Sequence, residues 1–511
     1  MTHMKNITLQ ILTFIRSKTF FWVIVGLLIF QAVWVALTAR YPMAFDENFH
    51  FGIIQLSAKQ WGPFFTSAPA HSAQYGDLVR NPSYLYQYLM SFPYRFIALF
   101  VHQEVIQIIL LRFINIGLFT LGLIVFRKLL LRLKMSAAIT NISLLMLVMV
   151  PVVPFLAGQI NYDNLIFLLI PVVGLLALTC RQTLQSSGVF PPKELILLVT
   201  LCMLSGLVKY AFLPIFLAIF LYLCIAFVRH PHRRATLTAT FAAFRSLSRL
   251  VKIGLLVIFL ITLGLFTERY GENIVRYHSL QPNCSKIESV DECLQYGPWA
   301  RNYVIAANIE AAGSPVPLDP NLALFAPTWA RGMMHRLYFA INYDYFNYAE
   351  LPINTTTAYI IGGFGLLLSL LFWRRLRARH PYIMLPVVII GLYVASLLYV
   401  NFTDYLHFKT MQAINGRYLI LVLPLVFTIF ASAYAIFLEK VTPKHASVYK
   451  LGITTAVVLL SLQGAGIVTY IVRSDDNWYW QNNIVTNMNL VVKKVLIPLT
   501  VGADHKERSK E

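Results

Sequence analysis

The stretch Phe20–Thr38 carries no ionisable side chain, and comparable stretches recur along the chain. A helix needs about 20 largely apolar residues to cross the hydrocarbon core of a bilayer. Within that core every backbone N–H and C=O must be bonded inside the helix, so an apolar run of this length dictates its own secondary structure. Such runs fall near 20–38, 105–126, 137–157, 164–180, 194–208, 211–228, 253–267, 357–373, 383–400, 418–437 and 451–472. They predict an all-α polytopic membrane protein of about 11 transmembrane helices, with residues 1–511 as one transmembrane domain. The fifth and seventh runs are short enough to need tilt or help from flanking residues. Composition agrees. Charged residues make up 13% of the chain, against roughly 25% in soluble domains. The net charge of +20 does not point to nucleic acid, because the basic residues sit in short clusters between apolar runs. No phosphate-binding glycine loop, zinc-finger spacing or heptad repeat appears.

Lysine and arginine set an expected orientation. With the N-terminus in the cytoplasm, the inner segments hold 22 of the basic residues and the outer segments 19. The inner segments span only about 88 positions and the outer ones about 220, so the density favours this arrangement. The first run has a basic flank (Lys5, Arg16, Lys18) and is longer than a signal-peptide core, so we expect an uncleaved anchor. Residues 39–104 then form a first outer loop with interfacial helices, 268–356 a long outer loop, and 473–511 an outer or interfacial tail. Residues 484–500 are interrupted by Asn487, Asn489, Lys493 and Lys494, which suits an interfacial helix better than a twelfth span. Cys180, Cys202 and Cys224 lie in or beside apolar runs and read as inert packing residues. Cys284 and Cys293 share the long loop; they are either a disulfide or two free thiols, and an extracytoplasmic setting favours the disulfide.

The polar residues at the expected outer ends of the spans carry the chemistry. In "FDENFH" (45–50), Asp46 can cap a helix that begins at Glu47, and Glu47 and His50 share a face at i, i+3. A structural account of all three exists: a cap, a first-turn charge on the helix dipole and an interfacial polar residue. Four further clusters lie at the same expected depth: "GQINYDN" (158–164), "GLVKYAFLP" (206–214), "NFTDYLHFK" (401–409) and "INGRYLILVLP" (414–424). They supply Asp163, Lys209, Asp404 with His407 and Lys409, and Arg417. Lys209 stands alone between two apolar runs, and an ammonium there needs a partner: a lipid phosphate, Asp163 or Glu47, unless it snorkels to the surface. Arg417 can clasp a phosphate through parallel hydrogen bonds, on a substrate or on bulk lipid. Acids in the first loop and cations at helix mouths suit a reaction on a lipid-anchored phosphate. A carboxylate takes the acceptor's proton while cations stabilise the leaving phosphate.

A span followed by an Asp-Glu pair and a nearby His resembles the GT-C superfamily of membrane glycosyltransferases, which includes protein O-mannosyltransferases and lipid A aminoarabinose transferases. "FDENFH", "NYDN", "LVKYAFLP" and "NGRYLILVLP", in that order, resemble a bacterial multi-pass family with a DE-x-x-H first-loop motif and a late G-R-Y motif. The resemblance implies a polyprenyl-phosphate sugar donor, a glycan or lipid-linked acceptor, and an active site on the outer face of the cytoplasmic membrane. It puts Asp46 at the base position with Glu47 beside it, and Lys209 and Arg417 toward the donor phosphate. His50, Asp163, Asp404 and His407 are further substrate-binding candidates. The large loop, with Trp299, Arg301, Trp329, Arg331, Tyr338 and Tyr343, would cover the site, although such aromatics also suit a bilayer interface. No WWD-type motif is present, so oligosaccharyltransferase is not implied. Two adjacent carboxylates and one His make a weak metal signature, and we expect no metal or other cofactor. The rival expectation is a transporter or flippase of a lipid-linked glycan, which uses the same cations and needs no base. A scaffold without chemistry is a third.

Overall fold

In hydrocarbon only a helix satisfies its own backbone, and the apolar runs accordingly become helices. The computed structural model describes residues 2–311, 321–338, 353–441, 452, 466–474 and 476–499. Among these residues the regular structure is entirely helical, apart from one isolated bridge between Ala39 and Tyr479. Seven helices are long and apolar enough to cross a membrane: Lys18–Thr38, Glu104–Arg132, Tyr162–Ser187, Tyr210–Val228, Arg249–Tyr277, Met384–Phe408 and Leu423–Val441. Tyr359–Leu371 and Trp373–Arg379 make an eighth if the pair, bent by 77°, counts as one span.

The other expected spans differ for local reasons. The run 137–157 divides into Ala137–Val148 and Val152–Ala157. Pro151 interrupts it, since proline lacks an N–H and disfavours helix in the residue before it. Pro192–Val208 has 17 residues, a length of about 25 Å against a core of about 30 Å. Most of 451–472 lies outside the described residues, and its end forms the helix Ile467–Arg473.

The long helices pack through small residues. Gly122 lets Glu104–Arg132 approach Tyr162–Ser187, where Phe119 and Phe167 stack at 4.0 Å. A methyl group on Gly122 would sit 2.6 Å from the Phe167 ring. In the loop after the first span, Glu47–Ser57 and Leu85–Phe100 form as two short helices. Phe96, Leu99 and Phe100 of the second are exposed. Cys284 and Cys293 are joined in a disulfide with Cα atoms 5.8 Å apart. The tail runs back to the first span: Arg40 N donates to the Trp478 carbonyl (2.8 Å) and Trp480 N to that of Thr38 (3.1 Å). The tail helix Asn483–Leu496 has 14 residues, about 21 Å, too short to span. It exposes Ile484, Val491 and Val495 and is tied to the first span where Trp34 Nε1 donates to Asn489 Oδ1.

Candidate functional site

The loop between Lys18–Thr38 and Glu47–Ser57 is held in an unusual backbone shape. Phe45 (φ 71°) and Asp46 (φ 72°) are consecutive non-glycine residues in the left-handed region. Each such residue costs roughly 1–2 kcal/mol, so the surrounding contacts must enforce it. The Phe45 carbonyl accepts from Asn161 Nδ2 and from Arg417 Nη1, both at 2.8 Å. Its ring meets Phe155 edge-on at 5.6 Å. Asp46 occupies the N-cap position but makes no side-chain cap bond, contrary to the sequence expectation. The left-handed turn points its carboxylate elsewhere, and Oδ2 lies 2.5 Å from Arg417 Nη2. The Arg417 side chain is 5% exposed and that of Asp46 42%, so the pair sits at the edge of the buried interior.

Glu47 has the opposite environment. Its side chain and that of Arg112 are both 0% exposed. Arg112 Nε and Nη2 donate to Oε1 and Oε2 at 2.8 and 2.7 Å. Met43 N and Ile160 N complete the set at 2.8 and 3.2 Å. Arg112 Nη1 also caps the end of the first span through the carbonyls of Ala36 and Ala39. A carboxylate with both oxygens bonded and no exposure cannot take a proton from an incoming substrate. Glu47 is a fastener for the first span, the second long helix and the 158–161 turn.

Lys209 is not alone. The chain leaves helix at Val208, extends at Lys209 and restarts as Tyr210–Phe212, which brings the ammonium 2.5 Å from Asp163 Oδ1. Tyr162 and Tyr418 flank it with ring centroids at 4.5 and 5.0 Å. Asp163 Oδ2 is buried without a hydrogen-bond partner among the described residues. Asn161 caps the Tyr162–Ser187 helix by accepting from Asp163 N, which fixes the carboxylate at the helix mouth. Arg417 opens the Gly416–Leu421 turn, capped by Asn415 Oδ1 at 3.1 Å. Gly416 lies directly against the backbone of Met333 and Leu337, where a Cβ would collide, so the Asn-Gly-Arg sequence is needed for this close approach.

His50 lies between these pairs. With the Gln87 amide oriented to donate to the carbonyls of Ser83 and Tyr84, its oxygen accepts from His50 Nδ1 at 3.0 Å. The imidazole Nε2 is then a lone-pair acceptor, buried and without a donor among the described residues. Tyr162 stands edge-on to the ring at 4.5 Å. Burial, the largest effect, pushes the His50 pKa down to about 4, with Asp46 and Asp163 pulling it up and Arg417 and Lys209 pushing it down. Burial alone would raise the Asp46 pKa. The Arg417 charge and hydrogen bond, with help from His50 and Lys209, outweigh it and hold the carboxyl below its ordinary range. Burial thus keeps the His50 imidazole neutral at neutral pH, and Arg417 keeps Asp46 ionised.

Asp46, His50, Asp163, Lys209 and Arg417 thus meet in one place. Asp404 and His407 sit on the last turns of Met384–Phe408 and make no ion pair with that cluster. Among the described residues of the large loop, Trp299 donates to Asn283 and Trp329 to Asn401, Arg301 bonds Asn302, and the Arg331 carbonyl accepts from Tyr359. None of these bonds reaches Asp46. Tyr343 lies outside the described residues, as does any account of the Tyr338 side chain. Tyr296 of this loop lies 5.3 Å from the Phe49 ring of the first-loop helix. Arg112 and Gln87 are site residues outside the motifs, and Asn161 and Tyr418 lie inside two motifs as residues to which no role is given there. Only an arginine inside an apolar run, which must find a buried partner, could have flagged one of them.

Composition, fold and site together define a multi-pass α-helical membrane protein with a polar cluster at one end of its helices. Comparison with protein-family models, curated proteins and solved structures finds no match for this chain, so function is argued from the chemistry of that cluster.

Proposed function

We propose that this chain is an inverting glycosyltransferase that moves a sugar from a polyprenyl-phosphate donor to a glycan or other acceptor. The plan is GT-C-like with eleven crossings, a cytoplasmic N-terminus and the site on the outer face of the cytoplasmic membrane. The observation that carries the reading is Asp46: ionised by its arginine, on a strained turn, with Oδ2 bonded and the side chain still partly open. Oδ1 takes the acceptor hydroxyl proton as the acceptor oxygen bonds to the sugar's anomeric carbon. The bond from that carbon to the phosphate oxygen breaks, and the phosphate leaves with the electron pair. Among the described residues Arg417 Nε has no hydrogen-bond partner, and Lys209 uses one of its three ammonium protons on Asp163, so both keep donors for the leaving phosphate. His50 Nε2 is a neutral acceptor suited to orienting a hydroxyl, and Glu47 positions the loop rather than reacting.

The break in helix at Lys209 also suits a transporter or flippase, whose binding groups often sit at broken helices. The experiment that separates the two profiles polyprenyl-phosphate sugars and surface glycans by mass spectrometry in wild type, a deletion and Asp46→Asn, matched for membrane expression. Transfer chemistry predicts that Asp46→Asn reproduces the deletion, with donor accumulating and one sugar missing from the glycan. A wild-type profile in Asp46→Asn would overturn the base assignment and put transport ahead.

A further inference from the structure

A second polar site lies at the other end of the Leu423–Val441 helix, about 27 Å along its axis from the end next to Arg417. The helix Ile353–Leu371 stops at Phe372, and the chain turns by 77° into the short basic helix Trp373–Arg379. Leu376 is buried and docks that helix, leaving Arg374, Arg375, Arg377 and Arg379 exposed. Arg375 and Arg379, one turn apart, face a pocket of about 460 Å³ whose other walls are Ala378, Ile436, Glu439 and Lys440. Arg379 is paired with Glu439 at 2.8 Å. Among the described residues Arg375 and Lys440 have no carboxylate partner; both instead lie 5.8 Å from the Phe372 ring. Three cations and one carboxylate leave the pocket with two positive charges in excess. On the turns just before the bend, Leu366, Leu367, Leu370 and Leu371 are exposed and apolar.

A cationic recess beside an apolar helix face matches a molecule that is anionic at one end and hydrocarbon at the other. We propose that this pocket binds an anionic phospholipid, its phosphate held by Arg375 and Lys440 and its acyl chains laid along the Leu366–Leu371 turns. The site is independent of the proposed transfer reaction. A basic pocket between helix ends is a recurrent form of headgroup site. The bend creates it, because a straight continuation would carry Arg375 and Arg379 away from Lys440.

The test uses the full-length protein purified in an uncharged detergent. Native mass spectrometry and thermal unfolding are followed with added dioleoyl-phosphatidylglycerol, dioleoyl-phosphatidylcholine or inorganic phosphate. Phosphatidylglycerol is expected to be retained and to raise Tm, while phosphatidylcholine and phosphate do neither. R375Q/K440Q is expected to weaken phosphatidylglycerol binding about 30-fold, at about fivefold per charge, with an unchanged lipid-free Tm because both residues are exposed. R374Q/R377Q, which removes two charges from the same helix outside the pocket, is expected to keep wild-type binding. Equal retention of phosphatidylcholine, an equal Tm rise with phosphate alone, or equal losses in the two double variants would each overturn the proposal.

Discussion

Asp46 and Glu47 are neighbours in the chain, and each carboxylate is bonded to an arginine. Glu47 with Arg112 is completely buried, while Asp46 keeps 42% of its side chain exposed beside a buried Arg417. Glu47 accepts four hydrogen bonds from three elements; Asp46 accepts one from Arg417. Identical chemistry at adjacent positions is thus divided by a left-handed turn into a fastener and a partly open carboxylate, the one proposed as the base. An ion pair in a fold is evidence of function only when one of its atoms is left to act.

The contrast can be broken by exchanging the two sites' sensitivities. The largest expected effect is on rate: Asp46→Asn should lower transfer of the labelled sugar in membranes by about 10²–10⁴-fold, the usual worth of a general base. Its thermal unfolding temperature should fall much less than that of Glu47→Gln, because the 42% exposed site lets water offset the lost charge beside Arg417. Glu47→Gln should do the reverse. Leaving Arg112 charged and half-paired in a dry interior costs about 3–5 kcal/mol. The expected readout is loss of monodisperse protein on size-exclusion chromatography, and a stable Glu47→Gln protein would remove the distinction.

Smaller effects sharpen it through pH. His50 is held neutral down to about 4 against an ordinary 6.5. Above 6.5 the folded and unfolded chains are both neutral there. As pH falls from 6.5 to 4 the unfolded chain takes a proton that the folded one refuses, so stability falls, and it levels off below 4. The slope amounts to at most about 3 kcal/mol, and His50→Gln should flatten it in a Tm-against-pH series. For Asp46 the sign is the same, and the window lies lower. Its depressed pKa keeps the Arg417 pair intact above the ordinary value of 3.8 and releases it only as pH falls further. Activity should therefore show no acid limb from Asp46 in the neutral range. Arg417→Gln should raise that limb by about 1–3 pH units, and an unmoved limb would detach Arg417 from the base.

Much of this was legible in the residues. Asp46, Glu47, His50, Asp163, Lys209 and Arg417 all fall where an apolar run ends, and run ends share a depth. Asp404 and His407 meet the same criterion but form no ion pair with that set. Depth along a span can be read from where the apolar run stops, but position around the bundle cannot. The runs are apolar on every side, so no stripe announces which neighbour a helix will face. Arg112 shows the limit most clearly. Its place inside a run was visible, but its partner lies 65 residues away across a loop whose path no local pattern specifies.

By itself, then, the sequence determined that the chain is helical and crosses a membrane, because hydrocarbon permits no other use of such runs. It also determined that ionisable groups gather at span ends, since charge inside the core is costly. Tertiary structure alone decided which carboxylate is sealed and which stays open, that Lys209 is answered by Asp163, and that Gln87 fixes the His50 tautomer. Each of these depends on contacts a few ångströms long between residues far apart in the chain. Such contacts are set by how whole helices pack, through close approaches such as Gly122 on Phe167 and Gly416 on the Met333–Leu337 backbone.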